Sequence, residues 1–144
     1  YFISRSFTNA FPKYKNPQAS KNIIFNELSI DWTQPITIVE GVFDAIKAEN
    51  AVPLLGSTMT ENSKLLKEII NRNSVVYLAL DGDAKEKEMD ILEMLLSYGN
   101  QVYLVDTDGF KDVGEMTKQD FLERKKEASF IDQSNYLLTK MFSF

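Results

Sequence analysis

The stretch YLALDGDAK, residues 77–85, ends an apolar run in two carboxylates, Asp81 and Asp83, with one glycine between them. Side chains two positions apart on an extended chain point the same way. Two like charges so placed repel unless a cation or several donors sit between them. Other acids also follow strand-like runs: Glu40 after ITIV, Asp44 shortly beyond it, and Asp112 and Glu115 beyond QVYLVD. Carboxylates converging in a partly buried pocket repel strongly when bare, and a divalent cation is their natural partner. Oxygen ligands of this kind suit hard cations, Mg2+ or Mn2+.

Composition narrows the chemistry further. The chain has 144 residues, no histidine and no cysteine. Zinc sites of the usual kind, Ser-His triads, imidazole acid-base catalysis and disulfides are therefore excluded. What remains is carboxylate, lysine, arginine, tyrosine and hydroxyl chemistry. With 44% hydrophobic residues the chain suits one compact domain with its own core. No apolar run approaches a membrane span and no signal-peptide pattern opens the sequence, so a soluble protein is expected. The chain begins without methionine, in mid-pattern, as a portion of a larger protein would.

The net charge of −5 is unevenly spread. Residues 1–35 carry Arg5, Lys13, Lys15 and Lys21 against Glu27 and Asp31, a net +2, which leaves −7 for the rest. An acidic pocket beside a basic track produces such a split, and so does chance.

The elements that must position the acids alternate. PITIVEG reads as a strand ending at a glycine, and VFDAIKAEN as a helix in which Val42, Phe43 and Ile46 share a face. AVPLLG is a second strand. A helix follows in TENSKLLKEIINRN, with Thr60 as N-cap and Leu65, Leu66, Ile69 and Ile70 as its buried stripe. SVVYLAL is the most apolar strand and is expected to be central. AKEKEMDILEMLLSYGN is an amphipathic helix stopped by Gly99, and QVYLVD is the fourth strand. This alternation predicts parallel βαβ units, with the acids at the carboxyl ends of strands along one edge of the sheet. The opening 22 residues, rich in Asn, Ser and Pro, read as irregular or short-strand structure. The tail reads as two helices, the second either packing through Tyr136, Leu137, Leu138, Met141 and Phe142 or docking a neighbour; packing is favoured.

Each acid alone has a plain explanation. Glu40 and Asp44 suit a helix N-terminus, Asp81-Gly82-Asp83 suits a solvated turn, and KDVGE suits a loop. Their conjunction in this order points to a site. An EF-hand is excluded because Lys85 and Glu86 stand where an oxygen ligand and a glycine are required. A phosphatase of the DxD type fits poorly, since its nucleophilic aspartate ends the first strand and Glu40 stands there.

IVEGVFDAI, LALDGDAK and KDVGE together resemble the three signatures of a TOPRIM domain, shared by DnaG-type primases, topoisomerases and some nucleases. The resemblance covers about residues 34–126. Upstream, ISRSFTNAFPKYKNPQAS is similar to the basic segment that precedes TOPRIM in DnaG-type primases. The organisation implied is a basic N-terminal segment (1–33), a TOPRIM domain (34–126) and a C-terminal helical tail (127–144). The fold class is α/β: a mostly parallel four-stranded sheet flanked by helices.

The resemblance implies a catalytic-core fragment of a DNA primase, a DNA-directed RNA polymerase that joins nucleoside triphosphates into RNA primers on single-stranded DNA. Glu40 would be general base or poise the attacking hydroxyl. Asp81 and Asp83 would hold Mg2+ or Mn2+, with Glu40, Asp44, Asp112 and Glu115 as further metal-site acids. Arg5, Lys13 and Tyr14 match the nucleotide and template track, and Lys15 joins them by charge. The chain departs from the pattern at Gly114, where such primases often carry a second aspartate. A replicative helicase as partner of the parent protein, and the cytoplasm of a bacterium or phage-infected cell, are implied likewise. The alternatives are a TOPRIM nuclease and a non-catalytic module that binds nucleic acid or a replication partner.

Overall fold

The structure, a computed structural model, describes residues 4–7, 14–15 (backbone), 18 and 20–142. Strands β1 (Ser4–Arg5) and β2 (Tyr14–Lys15) form a small antiparallel ribbon with Arg5 opposite Tyr14. The main body runs β3 (Ile36–Val39), α1 (Val42–Lys47), β4 (Ala51–Pro53), α2 (Lys64–Arg72), β5 (Val76–Ala79), α3 (Lys85–Ser97), β6 (Val102–Leu104), α4 (Lys118–Lys126), β7 (Ser129–Ile131) and α5 (Gln133–Phe142). Single 3-10 turns lie at Glu27–Ser29 and Val113–Glu115.

The α/β expectation holds, with one strand more than the sequence suggested. Five strands pair in the order β4-β3-β5-β6-β7, the first four parallel and β7 antiparallel to β6. β7 lies in the tail expected to be helical throughout. Ser129–Ile131 is too short to display alternation, and it follows the charged end of α4. The open edge of β6 supplies its ladder hydrogen bonds, and Ile131 enters the core. β5 is central, as its apolar run implied.

Helices cover both faces. On one, Leu65, Leu66 and Ile69 of α2 and Met89, Ile91, Leu92 and Leu95 of α3 pack on Ile36, Ile38, Val76, Leu78 and Val102. On the other, Ala48 at the end of α1, Val113, Met116 and Phe121 of α4 pack on Val39, Ala79 and Val105. The helices leaving β3 and β5 thus go to opposite faces. Between the carboxyl ends of two such neighbours a crevice must open, and this is where open α/β sheets take their ligands.

Local chemistry sets the ends. α3 stops at Gly99 (φ 81°), whose N–H donates to Leu96 O at 3.0 Å while Asn100 N–H donates to Leu95 O at 3.1 Å, a Schellman closure. α2 begins at Ser63 and not at the expected Thr60: Ser63 Oγ turns back to accept the Thr60 N–H at 2.8 Å. The Lys64 N–H is then satisfied by Asn22 Oδ1 at 2.9 Å, a cap from 42 residues away. In α1, Phe43 and Ile46 do share a face, but it is the exposed one; Asp44 is the residue turned inward. In α5, Tyr136 packs against the core and donates to Glu93 Oε2 at 2.9 Å. Leu137, Leu138, Met141 and Phe142 are exposed, so the packing expected of this helix rests on Tyr136.

The segment ahead of β3 is stapled by Asn50, in the left-handed region at φ 46°. Its side chain accepts the Asp31 N–H at 2.8 Å and donates to Asp31 O at 2.8 Å and Pro35 O at 3.0 Å. Beside it, Trp32 packs on the core edge with the Arg72 guanidinium 5.0 Å above its ring. Asn50→Ala removes three hydrogen bonds and strains a positive φ, and is expected to lower stability by about 2 kcal/mol. A urea midpoint unchanged from that of the parent chain would contradict this.

Candidate active site

The acids gather at the crevice. Glu40 follows β3 directly, and Asp81 stands two residues past β5. Together with Asp44, Asp112 and Glu115 they line one cleft, with Arg5, Lys21 and Lys111 on its rim. Asp83 lines an adjoining hollow shared with Glu40 and Asp81. Lys13 lies outside the described residues. Tyr14 and Lys15 contribute β2 through their backbone, and their side chains are outside the described part.

Asp81 is the most perturbed of the group. Desolvation, and then the negative charges of Asp44, Glu40, Asp112 and Asp83, push its carboxyl up to about 7. Its Oδ1 is buried without a hydrogen-bond partner, and so is Glu40 Oε1. A buried carboxylate oxygen without a donor is costly, and two of them at neighbouring parallel strand ends lining one cleft suit a cation.

Asp44 has another occupation. Its Oδ2 accepts the Gly41 N–H at 2.9 Å and its Oδ1 accepts the Gly114 N–H at 2.8 Å. One carboxylate thus clamps the β3-α1 turn to the turn beyond β6. Burial raises its carboxyl, and the two N–H donors work against that rise. The clamp also accounts for Gly114: a Cβ there would lie 3.1 Å from both Asp44 Oδ1 and Asp112 Oδ1, so no side chain fits without a shift. Asp112 Oδ1 accepts the Glu115 N–H at 3.0 Å, and Glu115 Oε2 accepts the Lys111 N–H at 2.8 Å. These two acids therefore shape their own turn while facing the cleft.

Sequence reasoning placed Arg5 in the basic track but missed the other cations of the cleft. Lys87 of α3 donates to Glu40 Oε2 at 3.0 Å, and the Arg5 guanidinium lies 5.6 Å from the Phe43 ring centre. Lysines one turn after DGD were a visible signal for the first of these. Among the described residues no group of three acidic side chains is arranged to hold a metal ion by itself. The donor chemistry nevertheless fits a hard cation, because Asp81 and Glu40 each present an oxygen that nothing else satisfies.

No family model and no curated protein sequence matches the chain. Solved structures do. The catalytic domain of a DnaG primase bound to single-stranded DNA superposes with a TM-score of 0.72 over 96% of this chain, at 24% identity. The chain has the fold of a DnaG-type primase catalytic core. A second such core matches at a TM-score of 0.65 over 96% of this chain, again at 24% identity. The Aquifex aeolicus primase, comprising zinc-binding and RNA polymerase domains, matches at 0.68 over 90% and 24% identity. The chain spans 50% of each of the first two structures and 37% of the third, so the primase-core fold seen here is a part of those larger units. Among the described residues no helix is long and apolar enough to cross a membrane.

Proposed function

We propose that this chain is the TOPRIM portion of a DNA primase and serves metal-dependent nucleotidyl transfer on single-stranded DNA. The observation that carries the reading is the pair of buried, partnerless carboxylate oxygens on Asp81 and Glu40, at the crevice of a primase-core fold. Mg2+ usually binds through one or two carboxylates plus substrate phosphates, so a complete protein cage is not required. Asp81 and Asp83 would hold Mg2+ or Mn2+, which would supply neutralisation of the triphosphate and a lowered pKa for the attacking hydroxyl.

The chain's own groups do the rest. Glu40 accepts or orients the proton of the primer 3′-hydroxyl. Asp44 holds the two turns that frame the cleft in register, and Asp112 and Glu115 keep its far wall acidic. Arg5, Lys21 and Lys111 on the rim bind phosphate oxygens, and the Lys13-Tyr14-Lys15 segment guides the template strand. A helicase partner belongs to the parent protein in this reading.

The test is incorporation of labelled ribonucleotides on single-stranded DNA with Mn2+, by the chain within its parent catalytic core and by the Glu40→Gln variant of the same protein. Metal-dependent oligoribonucleotide synthesis that falls by about a hundredfold in the variant is expected, the size typical of loss of a general base. Cleavage of the template instead identifies a nuclease of the same fold. Retained DNA binding with neither product identifies a binding module.

A further inference from the structure

We propose that Lys87 is a built-in counter-ion that sits on Glu40 in the metal-free protein and must be displaced when the divalent cation enters. The inference rests on the metal-dependent reading given above. Lys87 reaches from the first turn of α3 to the end of β3, and its Nζ donates to Glu40 Oε2 at 3.0 Å. The pair is largely shielded, with the lysine side chain 28% exposed and the glutamate 15%. Both line the hollow that also holds Asp81, Asp83 and Asp90. The two oxygens of Glu40 are therefore unlike: Oε2 is occupied by the ammonium, and Oε1 is buried with no partner.

An ammonium and a hydrated Mg2+ both seek the same carboxylate, and a shielded site crowded with acids favours whichever cation neutralises more of them. Asp81 and Glu40, the latter through its partnerless Oε1, would hold the cation, whose charge would drive the Lys87 ammonium off the neighbouring Oε2. The lysine stem is long and flexible, so the freed ammonium can turn to the phosphates of an incoming nucleotide without backbone movement. Before metal arrives, the same contact keeps Glu40 from acting as a base. Lys87 is thus a positioning residue that acts through Glu40.

The experiment measures Mn2+ binding to the full chain by the loss of the free-ion electron paramagnetic resonance signal, without substrate. Lys87→Met is expected to bind Mn2+ about fivefold more tightly than the parent, the scale of a partly shielded ion pair. Lys85→Met provides the control, since Lys85 carries the same charge two residues away and pairs with Glu88 at 3.4 Å instead. It is expected to change the affinity little. In a Glu40→Gln background the Lys87→Met gain is expected to vanish. Equal gains from Lys85→Met and Lys87→Met reveal a general field effect and overturn the proposal, as does an unchanged affinity in Lys87→Met. Absence of Mn2+ binding in every variant and in the parent sinks the metal-dependent reading itself and this inference with it.

Discussion

Asp81→Asn is expected to abolish Mn2+ binding and nucleotide transfer while making the metal-free protein more stable at alkaline pH. The folded-state carboxyl is pushed up to about 7 from 3.8, so between these values the folded chain holds a proton that the unfolded chain has released. Stability from this group is therefore fully present below about pH 4 and is lost as pH rises through 7. Discounted for partial solvent access, the loss is about 1–2 kcal/mol, which corresponds to roughly 5 °C in melting temperature. The asparagine has no charge to bury and escapes that loss. Melting curves of parent and variant should coincide below about pH 4, draw apart as pH rises from 4 to 7 and stay apart above pH 7, the variant melting higher. Mg2+ should raise the parent's curve at pH 8 and leave the variant's where it is. Curves that stay parallel from pH 4 to pH 9 would show that Asp81 is an ordinary solvated acid.

Asp44→Ala is expected to be the most destabilising single change at the site, by about 3 kcal/mol. Two part-buried backbone N–H groups, Gly41 and Gly114, lose a charged acceptor together, and each charge-assisted bond of this kind contributes roughly 1.5 kcal/mol or more. The effect should be local as well as global. With the clamp gone, hydrogen exchange at Gly114 and Glu115 should quicken more than exchange at Val76–Ala79 in the central strand. Uniform acceleration at all these amides, or none, would contradict the clamp.

The alternation of elements was readable because periodicity is a local property: ITIV, the α3 run and the buried stripe of α2 each declare themselves within a few residues. The convergence of Glu40, Asp81 and Asp112 was readable too, because parallel topology places every strand's carboxyl end on one edge. What the sequence hid depends on partners far along the chain. Thr60 and Ser63 are equally good caps by type, and Asn22, 42 residues upstream, decides between them. Asp44 reads as one more site acid, whereas its partners at positions 41 and 114 give it a structural task. With Asp44 turned inward, Phe43 and Ile46 must face out, against their hydrophobicity. β7 is three residues long and exists because β6 has an edge to fill. Lys87 meets Glu40 only once α3 is laid across the sheet, 47 residues from its partner.

Trp32 gives this molecule a built-in optical reporter. It is the sole tryptophan of the chain, and it sits on the stapled segment ahead of β3, under the Arg72 guanidinium, outside every strand and long helix. Its emission therefore follows whether that segment lies on α2, while far-ultraviolet circular dichroism follows the sheet and helices. Loss of the Asn50 staple should move the fluorescence transition to lower denaturant ahead of the dichroism, so two inexpensive signals resolve peeling of the segment from melting of the core.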